Sequence, residues 1–98
     1  MTSKQTTLNH VNKALSAIVN GKYLDAVPLD AIFTAVREHV GEVLDVDNTP
    51  LGGIILCGEC GAVNFQIRDT DGRLFAGRLH ISWYTMQSRR YEVLAYVS

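Results

Sequence analysis

The residue order predicts an α+β fold: two N-terminal helices packed on one face of a four-stranded antiparallel meander (α-α-β-β-β-β), in two layers. Three observations carry this. Apolar residues recur at helical spacing up to about residue 44. From residue 54 onward they alternate with a period of two. The segments between the alternating runs are short and rich in turn formers, and short turns join antiparallel neighbours.

The first helix is expected over residues 7–19. Leu8, Val11, Leu15, Ile18 and Val19 draw one apolar stripe. Thr6 or Thr7 is a suitable N-cap, and Asn20-Gly21 a suitable stop. Residues 1–5 are polar and expected to fray. The second helix opens at Pro28, whose missing N–H costs nothing at a first helical position. Leu29, Ile32, Phe33, Val36, Val40, Val43 and Leu44 then hold one face for about four turns, with Asp30, Thr34, Glu38 and Glu42 on the other. The turn-forming segment DVDNTPLGG at 45–53 ends it.

Four strands follow. Residues 54–56 (Ile-Ile-Leu) form a short buried run. In 62–68, Val63, Phe65 and Ile67 face one way and Asn64, Gln66 and Arg68 the other. After an Asp69-Thr70-Asp71-Gly72 hairpin turn, residues 73–84 put Phe75, Gly77, Leu79, Ile81 and Trp83 on one side. Leu74, Ala76, Arg78, His80, Ser82 and Tyr84 take the other. A second turn at 87–90 leads to a last strand, 91–97, which is apolar on both sides and so ambiguous in its facing. The helices cover the apolar face, and the opposite face meets solvent or a partner.

The whole chain of 98 residues is expected to be one domain, with 47% apolar and 19% charged residues. A net charge of −1 leaves no basic surplus for phosphate binding, so nucleic acid is an unfavoured partner. The second half is nonetheless distinctive, since its five bases are all arginines: Arg68, Arg73, Arg78, Arg89 and Arg90. The N-terminal segment has no apolar stretch of the secretory kind, no apolar run is long enough for a bilayer, and a cytoplasmic location with no membrane partner is expected.

The sharpest local motif is Cys57-Gly58-Glu59-Cys60-Gly61. Two thiolates three residues apart on a glycine turn can grip one metal ion, and CGECG resembles the knuckle of a zinc ribbon. The resemblance covers five residues and implies zinc as the cofactor. A second Cys-x-x-Cys is absent, so further ligands must come from His39, another histidine or a second subunit. A redox pair is disfavoured because strand, not helix, follows the motif. The alternative is a turn that holds two buried thiols, with no cofactor at all.

Catalytic signals are thin. Ser82, His80 and an aspartate lack a nucleophile-elbow context, Asp45 and Asp47 suit a solvated loop, and Gly52-Gly53 is not followed by a lysine. The leading expectation is a non-catalytic protein-binding module of inhibitor, immunity or regulatory-subunit type. Its partner-binding residues would be Arg68, Arg78, His80, Tyr84, Arg89 and Arg90, since Arg and Tyr combine contact area with directional bonds. The acidic side of the second helix is a second candidate surface. A homodimer through the last strand, as an edge needing cover, is a further expectation. Alternatives are a zinc protein using Cys57, Cys60 and His39, and a nucleic-acid-binding accessory protein.

Overall fold

The computed structural model describes residues 3–47, 61–85 and 90–98. Helix α1 (Lys4–Ile18) comes first, then strand β1 (Tyr23–Leu24), helix α2 (Leu29–His39) and strands β2 (Gly41–Asp47), β3 (Gly61–Asp69), β4 (Leu74–Thr85) and β5 (Arg90–Val97). The two helices precede a four-stranded antiparallel sheet, as expected, and the two-residue β1 is added between them. The sheet order is β1-β5-β4-β3-β2, so β2 to β5 form a meander and β1 lies on the far side of β5.

Helix α1 begins earlier than its apolar stripe suggests. Ser3 is the N-cap, its Oγ accepting the Thr6 N–H at 3.1 Å, and the Thr7 hydroxyl donates to the Ser3 carbonyl. Ser3 is thus the cap, and Lys4 and Gln5 open the helix. Helix α2 ends at His39, not at residue 44. Gly41 is the reason. It pairs with Asp69 across the β2–β3 ladder, and a Cβ on it would overlap the Arg68 carbonyl. Only glycine permits this approach, so the chain leaves the helix and enters the sheet there. Residues 54–56, expected as the first strand, lie outside the described residues.

The helical stripes and one face of the sheet form the core. Val11, Leu15 and Val19 of the first helical segment and Ile32, Ala35 and Val36 of α2 are buried. They meet Val63, Phe65 and Ile67 of β3, Phe75, Leu79 and Ile81 of β4, and Tyr91, Val93, Ala95 and Val97 of β5. Each fully buried branched side chain contributes about 1.5–3 kcal/mol, set against the ordering cost of the chain. The Phe65 ring joins the layers. It stands edge-on to Phe33 of α2, with centroids 5.2 Å apart and planes at 89°. It also lies over Gly77 on the neighbouring strand, where a Cβ would overlap the ring.

The β3–β4 turn is built by one side chain. Asp69 Oδ1 accepts the N–H of Asp71 at 3.0 Å and of Arg73 at 2.8 Å, while Asp69 Oδ2 accepts Arg73 Nε at 2.7 Å. Gly72 supplies the left-handed φ of 81° that the turn needs. The Asp69 side chain is only 7% exposed. Removal from water pushes its carboxyl up, but the hydrogen bonds and charge of Arg73 and the Asp71 N–H outweigh this and hold it below 3.8.

The outer edge of β5 carries a different device. Asn12 of α1 accepts the Val97 N–H at 2.8 Å and donates to the Val97 carbonyl at 2.9 Å. Asn20 accepts the Ala95 N–H at 3.0 Å and donates to the Ala95 carbonyl at 3.5 Å. Each carboxamide thus supplies both bonds that a neighbouring strand residue would make. Further along the same edge, β1 pairs with Tyr91 and Glu92. The outer side of β5 is thus covered within the chain, by β1 and the two asparagines.

Candidate functional site

The face of the sheet turned away from the helices is built by strand alternation. In β3 and β4, inward Val63, Phe65, Ile67, Phe75, Leu79 and Ile81 force Asn64, Gln66, Arg68, Leu74, Ala76, Arg78 and His80 outward. Strand β5, ambiguous by sequence, resolves the same way: Tyr91, Val93, Ala95 and Val97 point inward, Arg90, Glu92, Leu94 and Tyr96 outward.

The ladder registers set these outward residues in rows. Glu42, Arg68 and Leu74 form one row, and Leu44, Gln66 and Ala76 the next. Asn64, Arg78 and Tyr96 follow, then Ala62, His80 and Leu94, then Ser82 and Glu92. Among the described residues, the large apolar side chains that are exposed belong to this face: Leu74 at 57%, Leu94 at 49% and Tyr96 at 40%. Leu94 and Tyr96 are in adjacent rows, and Leu74 lies two rows beyond Tyr96.

The arginines differ in what they are free to do. Arg68 pairs with Glu42 across β2–β3 at 2.9 Å, with both side chains more than half exposed. Such a pair contributes little to stability but fixes the guanidinium. Arg90 lies 3.6 Å from Asp25. Arg73 is committed to Asp69 and Asp71 at the hairpin turn. Arg78 sits between Asn64 and Tyr96 and makes no ion pair among the described residues, and His80 is exposed one row further along. Arg68, Arg78 and His80 are therefore brought to one face, as their alternation implied. Tyr84 lies in β4, with its side chain outside what the structure describes, and Arg89 is outside the described residues altogether. Leu94 and Tyr96 were missed by sequence reasoning. The available signal was the parity of β5 once Val97 is paired with Gly77.

Cys57 and Cys60 lie outside the described residues. His39 ends α2 and is exposed beside the β3–β4 turn. It lines, with Thr7, Asp71 and Arg73, a cavity of about 290 Å³. Arg73 is the cation at that cavity, 2.7 Å from Asp69 and 3.6 Å from Asp71. Gly61, the residue after Cys60, opens β3 at the end opposite Asp69, about 26 Å away at strand spacing. Among the described residues, no group of three His, Cys, Asp or Glu side chains is placed to hold a metal ion. Among the same residues, no helix is long and apolar enough to cross a membrane. Comparison of the chain with protein-family models, with curated proteins and with solved structures finds no match.

Proposed function

We propose that this chain is a non-catalytic protein-binding module, of inhibitor or regulatory-subunit type, that works in the cytoplasm by docking its open sheet face on a protein partner. One observation carries the reading. An arginine with no ion-pair partner among the described residues, Arg78, stands beside exposed Tyr96, with Leu94 in the next row. An unpaired guanidinium beside an aromatic and an aliphatic side chain is the composition of a binding hot spot, where apolar area gives strength and the charge gives direction. The action is steric or competitive.

The test is photo-crosslinking in the native cell, with a benzophenone side chain placed at position 78 or at the exposed helical position 31. The expected result is discrete protein adducts from position 78 and none from position 31. Arg78→Glu should then weaken binding of the captured protein by about tenfold or more, with an unchanged melting curve. Equal labelling from both positions, or an affinity that ignores Arg78→Glu, refutes the sheet face as the docking surface.

A further inference from the structure

We infer that the occupant of this face is a second copy of the chain, held face to face so that Arg78 of each copy pairs with Glu92 of the other. The inference rests on reading the face as a docking surface and adds the identity of what docks. It begins with the ladder between β4 and β5. His80 lies opposite Leu94; Arg78, opposite Tyr96, is one outward row to one side of that pair, and Glu92, opposite Ser82, is one outward row to the other. Two residues along a strand advance about 6.8 Å, and neighbouring strands are about 4.8 Å apart. Arg78 and Glu92 are thus displaced equally and oppositely from the His80–Leu94 pair, on adjacent strands.

That arrangement is self-complementary under a two-fold axis. Place the axis in the contact plane, through the His80–Leu94 pair and nearly across the strands. It exchanges the two positions, laying Arg78 of one copy over Glu92 of the other, and does so twice. Leu94 and His80 both fall almost on the axis, so each meets its own counterpart, giving a centre of two leucines and two histidines flanked by the two ion pairs. The geometry carries an internal check. From the two spacings, the axis that exchanges Arg78 and Glu92 makes the strands of the two copies cross at about 40°, close to the ~30° at which twisted sheets stack.

The charges are available for this use. Neither Arg78 nor Glu92 makes an ion pair among the described residues, whereas Arg68 and Arg90 on the same face are each matched within the chain. The exposed apolar residues Leu94 and Tyr96, on the axis row and the row beside it, supply area at the same contact. Pairing through the edge of β5 is the competing route to a dimer, and Asn12, Asn20 and β1 occupy that edge.

The test is sedimentation equilibrium of wild type, R78E, E92R and a one-to-one mixture of the two variants. Wild type should sediment as a dimer of 10.8 kDa chains at concentrations of about 100 µM. Each reversal should raise the dimer dissociation constant about tenfold or more, because it faces like charge with like. The mixture should restore association. An R78E chain then presents two acids and an E92R chain two bases, so both contacts of the mixed pair are opposite in sign. The neutral variants R78Q and E92Q, with circular dichroism on every sample, separate lost pairing from lost fold. A wild type that stays monomeric at that concentration overturns the inference, as does a dimer that neither reversal moves. If wild type is monomeric yet position 78 still crosslinks to a different protein, self-pairing falls and the docking reading stands; if both fail, the docking reading falls too.

Discussion

Asn12→Ala tests how the sheet is closed on its β5 side. The substitution removes two hydrogen bonds to Val97, of 2.8 and 2.9 Å, from partly buried groups. At about 1 kcal/mol net for each bond, the loss is about 2 kcal/mol. Asn12 lies in the middle of α1, where alanine is the better helix former by about 0.6 kcal/mol, which offsets part of the loss. The expected destabilisation is about 1.5 kcal/mol, or roughly 6–12 °C in Tm for a domain of this size. Asn9→Ala is the matched control, because Asn9 is exposed in the same helix and bonds only the Gln5 side chain. It should leave Tm unchanged or raise it slightly. Calorimetry gives the stability, and amide exchange gives the location. The Val97 N–H should lose protection in Asn12→Ala, while the Ala95 N–H, held by Asn20, should lose less. An Asn12→Ala protein as stable as Asn9→Ala, or one with an unaltered Val97 exchange rate, would show that the carboxamide does not close the edge.

Two further outcomes follow from the packing and the turn. Gly77→Ala drives a methyl group into the Phe65 ring and should cost about 1–3 kcal/mol by urea unfolding; a neutral result would mean that the ring is not seated on Gly77. Asp69 has a lowered carboxyl pKa in the folded state, so its ionised form favours folding. Its contribution is complete above the ordinary value of 3.8 and is lost as pH falls through the lower folded value. Asp69→Asn should therefore be less stable than wild type near neutral pH and converge on it below pH 3.8, and parallel stability curves across that range would count against the turn as described.

The parts of the fold that were legible are those in which one face is buried and the other is not. Val63, Phe65 and Ile67 alternate with Asn64, Gln66 and Arg68 because β3 has the helices on one side only. Strand β2 was illegible for a specific reason. Val43 and Leu44 continue the helical spacing of Val36 and Val40, so the local pattern reads as one more turn of α2. What overrides it is the contact of Gly41 with the backbone at Arg68 and Asp69, nearly thirty positions away. The asparagine bonds are longer-range still, spanning 75 and 85 positions, and no local rule connects Asn12 to Val97. The same distinction governs the open face. Arg78 and His80 were placed by the alternation of their own strand, whereas Leu94 and Tyr96 needed the partner strand to choose between two apolar sides.

Edges and face divide the work of association. A sheet edge offers unpaired N–H and C=O groups to any extended chain, so pairing there is strong and poorly selective. On β5 those groups are taken by β1, Asn20 and Asn12. On β2 the ladder is irregular between Leu44 and Asp47, and Asp45 takes a left-handed φ of 49°, a bulge of the kind that twists an edge out of register with a newcomer. Among the described residues, the open face has no such guard, and it carries the exposed Leu74, Leu94 and Tyr96. Contact through a face is selective in a way that an edge is not, because side chains rather than backbone must match. In the proposed pairing Arg78 and Glu92 impose that match: removing their charge should loosen the choice of partner and its register more than the stability of the fold, since neither side chain makes an ion pair among the described residues.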